Sequence, residues 1–501
     1  MTVSPDPFAR RRVGILLHPT SLPGPWGNGD LGATAYHFVD FLVASGQSLW
    51  QVLPLGPTHD NNSPYQCLSV HAGNPQLISF DALQERNWLD EDELSSGRDT
   101  EALTGAAVDR GVLLAKAYQG FCRQADDADR QALQQFITDQ QSWLSDYALY
   151  QALRQEFNDQ EWAQWPTPLR DREPRALQQA RGRLQADIDR FCFEQYLFFG
   201  QWSALKQYAN DRGVLLFGDL PIFVAYDSVD VWAQRDSFEL DGDGRPLVVA
   251  GVPPDYFSAT GQRWGNPHYR WQAMAADGFS WWLSRIAMQL QLFDIIRIDH
   301  FRGFHAYWEI PVGEETAING RWVEAPGEAF FDALLERYGR LPFVAEDLGI
   351  ITPEVTALRE QYHLPGMKIL QFAFDGNHDN PYLPYNHERN MVVYTGTHDN
   401  DTTLGWYQGL PAVARQQVDD YLGTAGEDMP WSLIRLALSS VAMTAVVPFQ
   451  DVLGLGGPHR MNVPGTAAHN WQWRFSWDQV PEDAAARLRH LSSIYGRVNT
   501  G

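Results

Sequence analysis

Eight short runs of β-branched and aliphatic residues recur along the chain, and this rhythm limits the folds open to it more than any other feature. The runs are Val13–Leu17, Leu49–Leu53, Val214–Leu220, Asp294–Asp299, Phe343–Asp347, Met367–Phe372, Met391–Thr395 and Thr444–Phe449. Stretches with a helical apolar period lie between them. Ala33–Ser45 sets Phe38, Phe41, Leu42 and Ser45 on one stripe and meets Gly46 where a helix stop is expected. Glu328–Tyr338 is apolar at Phe330, Phe331, Leu334, Leu335 and Tyr338, and a further helix opens with Thr352 as N-cap and Pro353 at its first position. A strand–helix–strand opening predicts parallel pairing. Eight such strands predict an α/β chain folded as a (β/α)₈ TIM barrel with inserted subdomains. A doubly wound open sheet is the alternative, and no GxGxxG follows a strand to support it.

The rhythm breaks twice. Residues 81–208 have mostly helical periodicity, in segments such as Arg130–Phe157 and Leu177–Tyr208. Residues 226–285 are dense in aromatics and glycine, a character that extends over Phe223–Trp282. The expected organisation is therefore strands one and two with a following loop in 1–80, a helical insertion in 81–208, and strand three in 209–225. The aromatic insertion over the active site follows in 226–285, and strands four to eight in 286–501.

Composition narrows the ligand. The chain of 501 residues has 38 Lys and Arg against 62 Asp and Glu, a formal net charge of −24. Such a surface repels nucleic acid phosphates and anionic membranes and suits a neutral ligand. Nineteen Trp and nineteen Tyr offer flat rings with a polar edge, a match for sugar faces and equally ordinary core material. Three widely spaced cysteines, Cys67, Cys122 and Cys192, argue for a reducing compartment and against a disulfide framework or zinc site. Met1–Arg12 lacks the apolar stretch of a signal peptide, and no apolar run is long enough to cross a bilayer. A cytoplasmic enzyme, taken as a monomer, is expected.

In a barrel the active site lies where the strands end. Asp219 ends strand three. Arg297, Asp299 and His300 end strand four, and Glu346 and Asp347 end strand five. His398, Asp399 and Asp401 follow strand seven, and Asp451 follows strand eight. Carboxylates are costly to bury without partners, so several on one rim are hard to explain by stability alone. Asp347, Asp401 and Asp451 are read as helix caps or structural ion pairs. Asp299, Glu346 and Asp399 are read as chemical. Cleaving a glycosidic bond needs a proton for the leaving oxygen and an anion or nucleophile behind the anomeric carbon. A carboxylic acid and a carboxylate roughly 5 to 5.5 Å apart supply both, with retention. Arg297, two residues before Asp299, faces the same way and is expected to keep it ionised. His300 and His398 can donate to sugar hydroxyls or satisfy local backbone, and both readings stand. No His or Cys spacing indicates a metal. Asp241-Gly-Asp243-Gly opens like a calcium loop, but Val252 at the twelfth position offers no carboxylate, so a hairpin turn is expected.

Gly251–Pro267 is too apolar for a solvated loop and too rich in Pro and Gly for a helix. It is expected to stay ordered over the barrel mouth with Tyr256, Phe257 and Trp264 as sugar platforms. A loop merely packed on the barrel is the alternative.

Long strings of these residues resemble one family. They include His18-Pro-Thr-Ser-Leu-Pro-Gly, Ser63-Pro-Tyr65-Gln66, Gly218-Asp219-Leu-Pro-Ile-Phe and the Gly251–Pro267 loop. Arg297-Ile-Asp299-His300-Phe-Arg302-Gly, Ala345-Glu346-Asp347-Leu-Gly and Gly396-Thr-His398-Asp399-Asn400-Asp401-Thr complete the set. The chain is similar from near residue 13 to near Trp473 to the amylomaltases, 4-α-glucanotransferases of glycoside hydrolase family 77 in the α-amylase clan. The resemblance implies disproportionation of α-1,4-glucans between a glucan donor and a glucose or maltooligosaccharide acceptor, with no metal or organic cofactor. It implies Asp299 as nucleophile, Glu346 as general acid/base and Asp399 as the transition-state carboxylate. Arg297, His300, His398 and Asp219 match donor-subsite residues, and Tyr65, Tyr256 and Phe257 match aromatics on the acceptor side. Trp264 and Asn266 complete the expected substrate-binding set. Two stretches depart from the pattern. Pro57-Thr-His59-Asp60-Asn-Asn-Ser lacks an aromatic that some members place there for an additional glucan site. Gly457-Pro458-His459 lacks an acidic residue often found there. A glucan hydrolase using the same carboxylates and a silent glucan-binding protein are the competing readings.

Overall fold

The computed structural model describes residues 6–95, 110–254, 258–423, 429–466 and 468–498. Its strands in chain order are β1 Arg12–Leu16, β2 Leu49–Gln51, β3 Leu215–Pro221, β4 Val248–Val252, β5 Gln262–Pro267 and β6 Ile295–Asp299. They continue with β7 Ala306–Pro311, β8 Arg321–Glu324, β9 Phe343–Ala345, β10 Gly366–Ile369, β11 Met391–Tyr394 and β12 Thr444–Pro448. Eight of them pair in parallel in the order β10-β11-β12-β1-β2-β3-β6-β9. The two ends of that order meet. Ala345 N donates to Pro365 O at 2.8 Å, and the Asp347 carboxylate accepts from Met367 N at 2.7 Å. The sheet therefore closes into the expected barrel.

The strands are buried because both faces are covered, by side chains inside and helices outside. Every residue of β1, β11 and β12 is buried. The helix Ala33–Ala44 turns Ala35, Phe38, Val39 and Leu42 inward, and Gly46 adopts φ +72° just past its end. Close approach requires glycine at Gly218 on β3, where a Cβ would lie 2.2 Å from the Phe293 ring.

Several expected elements change shape. The sixth run stops as a strand at Ile369 and turns through one 3₁₀ turn, Leu370–Phe372. In the helix Gly327–Tyr338, Phe330, Phe331 and Leu334 are buried, but Leu335 falls on the outer face and is 43% exposed. The helical reading of 130–157 resolves into Asp127–Asp139 and Gln141–Glu156, which meet at the non-helical Gln140. Leu184 separates Pro174–Arg183 from the 27-residue helix Gln185–Asp211 in the same way. That long helix lays Phe193, Phe198, Trp202 and Leu205 into the core, and Trp202 Nε1 donates to Leu292 O at 2.9 Å.

The largest departure is a second, antiparallel sheet, ordered β5-β4-β7-β8. Gly251 and Val252 end β4, and residues 262–267 are β5. Much of the expected covering loop is thus a hairpin. Gly251 permits it, since a Cβ there would lie 2.1 Å from Gln262 O. Asp241-Gly-Asp243-Gly is a turn, as expected. Leu240 bridges Pro246, and Asp241 Oδ1 accepts from the N–H groups of Asp243 and Arg245 at 2.9 Å each. No helix among the described residues is long and apolar enough to cross a membrane.

Candidate active site

Strand register brings the first polar group together. Asp219 on β3 lies level with Arg297 on β6, and Asp299 lies two residues on. Period-two alternation points all three into the barrel mouth. Arg297 Nη1 donates to both oxygens of Asp219, at 2.7 and 2.9 Å, and Nη2 lies 2.8 Å from Asp299 Oδ1. Against the cost of its own burial, the charges of Asp219 and Asp299 hold the guanidinium charged, well above even its usual range. Tyr65, on the loop after β2, donates its hydroxyl to Asp219 Oδ2 at 2.7 Å. Its ring lies nearly parallel to that of His398, with centroids 5.1 Å apart.

Glu346 follows β9 directly. Its Oε2 accepts from His300 N at 2.8 Å and its Oε1 from Leu348 N at 3.0 Å. Glu346 N donates to Ile298 O, and Phe301 N donates to Glu346 O, so the two strand ends are laced together. His300 makes this possible by taking a left-handed backbone, φ +55°. Burial pushes the Glu346 carboxyl up, against the pull of Arg297 and of the two N–H donors.

Arg297 alone does not decide the charge of Asp299. Burial acts more strongly, and with the neighbouring carboxylates Asp219, Glu346 and Asp399 it pushes Asp299 up to about 8. The expectation that one guanidinium keeps this acid ionised thus meets a larger desolvation effect.

Asp399 sits on the loop after β11, where Asn400 Oδ1 accepts from Thr397 N and Oγ1 at 2.9 Å each. Two residues far along the chain fix it. Asn462 Nδ2 donates to Asp399 Oδ1 at 2.6 Å, and Arg460 Nη2 donates to its backbone carbonyl at 2.8 Å. His398 Nε2 lies 3.4 Å from Asp399 Oδ2. Burial lowers both nearby imidazoles, His300 to about 3, which leaves them neutral. Nε2 of His300 is buried without a hydrogen-bond partner.

Asp299, Glu346 and Asp399 border one cleft of about 740 Å³, together with Arg297, His300, His398, Tyr65 and Trp264. Trp264 on β5 stands edge-on to His300, with centroids 4.9 Å apart. Asp219 lies beneath the cleft, through Arg297. Asn266 borders the cleft, but it is buried and donates its amide to Val224 O at 2.7 Å, so that nitrogen holds backbone. Tyr256 and Phe257 lie outside the described residues. Asn462, Arg460 and Trp471 also line the cleft and were not among the expected residues. Nothing local to Arg460-Met-Asn462 signals a contact with Asp399.

Of the remaining acids, Asp347 and Asp451 have structural partners. Asp347 accepts from Met367 N and pairs with Arg359 Nε at 3.3 Å. Asp451 accepts from Thr395 Oγ1, Thr403 N and Thr403 Oγ1 at 2.6–2.7 Å. Asp401 is not the helix cap. The adjacent Thr402 caps Thr403–Gly409, and Asp401 Oδ1 is buried without a hydrogen-bond partner. Among the described residues no cluster of His, Cys, Asp and Glu could hold a metal ion.

A family model described as 4-alpha-glucanotransferase, that of glycoside hydrolase family 77, matches residues 17–479. A 4-alpha-glucanotransferase from Synechocystis sp. is 50% identical over 499 residues, covering 97% of this chain and 98% of the relative. One from Thermus thermophilus is 49% identical over 505 residues, covering 97% and 99%. The solved structure of amylomaltase from Streptococcus agalactiae in complex with acarbose superposes with a TM-score of 0.93 at 37% identity, over 98% of this chain and 100% of that one. With strand-end carboxylates gathered in one barrel mouth and likeness over nearly its full length, the chain belongs to glycoside hydrolase family 77 and is an enzyme of the 4-alpha-glucanotransferase class.

Proposed function

We propose that the enzyme disproportionates α-1,4-glucans by a retaining, two-step route, with Asp299 as nucleophile and Glu346 as general acid and base. The observation that carries this reading is the meeting of Asp299, Glu346 and Asp399 at one cleft, where Asp299 bonds a guanidinium and Glu346 is held by backbone N–H groups. Arg297 occupies Asp299 Oδ1, which leaves Oδ2 for the anomeric carbon. As that oxygen attacks, the bond to the departing sugar breaks. Its electron pair stays on the glycosidic oxygen, which takes the Glu346 proton. In the second step the 4-hydroxyl of an acceptor glucose unit gives its proton to the Glu346 carboxylate and attacks the anomeric carbon. The ester bond breaks and Asp299 returns as an anion.

Asp399, oriented by Asn462, offers its other oxygen to sugar hydroxyls and to the positive charge that develops on the ring. The neutral imidazoles of His300 and His398 and the rings of Tyr65 and Trp264 suit a polyol ligand. The donor is an α-1,4-glucan and the acceptor glucose or a maltooligosaccharide. Cys67, Cys122 and Cys192 are free thiols, which supports work in the reducing cytoplasm.

Incubation with maltotriose tests the reading. A ladder of longer and shorter oligomers with a constant number of reducing ends is expected. A steady gain in reducing ends identifies a hydrolase, and no products at all identify a binding protein.

A further inference from the structure

The cleft that holds Glu346 is also lined by the loop after β9 and by β8. A general acid protonates the oxygen of the departing sugar, so the acceptor chain runs on Glu346's side of the reacting bond. There the cleft is bordered by Leu348 and Ile350, on the loop after β9, and by Trp322 of β8. Trp322 is 41% exposed and Ile350 is 61% exposed. Two large apolar side chains left open on the rim of one cleft form a surface suited to a partner. The indole is held in place. It packs edge-on against Trp308 with centroids 5.2 Å apart, and the Arg302 guanidinium lies 3.9 Å from its ring centroid. Arg302 also donates to Ile350 O. One guanidinium thus ties the second sheet to the loop that follows the acid. A fixed indole loses little further freedom when a ring stacks on it, and its apolar face matches the flat face of a glucose unit.

We propose that Trp322 and Ile350, tied together by Arg302, form a distal acceptor subsite that binds a glucose unit of the α-1,4-glucan beyond the one that carries the attacking hydroxyl. This rests on the transfer reaction proposed above. The test uses a glycosyl fluoride donor blocked at its terminal 4-hydroxyl, so that it cannot act as acceptor, with glucose or maltotetraose as acceptor. In Trp322→Ala the KM for maltotetraose is expected to rise about three- to tenfold, while the KM for glucose moves less than twofold. Ile350→Ser, a change on an exposed loop, is expected to act in the same direction and serves if the tryptophan variant does not fold. Equal KM changes for both acceptors, or none for either, overturn the subsite. Failure of the unaltered enzyme to transfer to either acceptor overturns the transferase reading instead, so the two failures are distinct.

Discussion

His300 donates its backbone N–H to Glu346 Oε2 across 2.8 Å. The main chain directly after Asp299 therefore grips the carboxylate on the next strand, and the spacing of the two acids does not depend on side-chain rotamers alone. The left-handed backbone of His300 is the means.

From this pairing, Glu346→Gln is expected to lower kcat on maltooligosaccharides by about 10²- to 10⁴-fold. A glycosyl fluoride needs no proton on its leaving group, so the same variant should form the glycosyl-enzyme from fluoride at close to the normal rate. Rapid-quench rates with the two donors check this. An equal loss with both would remove Glu346 from the acid role.

Asp299→Asn is expected to cut turnover by about 10³-fold or more while oligosaccharide binding persists. In Glu346→Gln given a fluoride donor, a covalent adduct should build up. Peptide mapping by mass spectrometry should place it on Asp299, and an adduct on any other residue contradicts the assignment.

The pH profile follows from burial. Burial pushes Asp299 up to about 8, helped by the charges of Asp219, Glu346 and Asp399, and burial raises Glu346 as well. The protons then belong to the pair. With one proton bound, the active form holds it on Glu346 and leaves Asp299, paired with Arg297, as the anion. Raising the pH removes that proton and the acid with it. Lowering the pH adds a second proton and silences the nucleophile. A bell-shaped kcat/KM is expected, with an alkaline limb that falls tenfold per unit and lies above the usual carboxylate range. His300 and His398, both lowered by burial, should add no limb near neutrality. Glu346→Gln on the fluoride donor should lose the alkaline limb, and a limb that persists assigns it to another group.

Asp347 is a seam residue. It bonds Met367 N across the β9–β10 closure, one residue from Glu346. Asp347→Ala is expected to lower Tm and to reduce kcat more than KM, because the acid loses its footing while the sugar contacts remain. An unchanged kcat in a folded variant would show that the closure does not position Glu346.

Gly218→Ala places a methyl against the Phe293 ring beside Asp219. Overpacking of this kind costs about 1–3 kcal/mol. Denaturant unfolding should record it, and a neutral result would mean that the ring moves freely.

The barrel was legible because its strands are continuous apolar runs, and an acid that ends such a run is conspicuous. Asp219, Asp299 and Glu346 stand out for that reason, and Arg297 follows from two-residue spacing. What was hidden depends on distant chain returns. Asn462 reaches Asp399 from 63 residues away, and no local period announces it. The second sheet was missed because β8, Arg321–Glu324, is four residues long and mostly exposed. Asp401 and Thr402 are adjacent and both able to cap, so backbone geometry alone decides for Thr402. Asn266 is equally suited to a sugar and to a carbonyl, and folding commits its amide nitrogen to Val224.

Arg297 carries two acids for one cation. In the proposed cycle Asp299 becomes a neutral ester, and a guanidinium with no other counter-ion would then be left unpaired beneath the cleft. Asp219, doubly bonded to it and buried, keeps its charge through the cycle as permanent ballast. The covalent stage therefore need not unbalance the site electrically, and the same pocket can wait, loaded, until a sugar arrives to empty it.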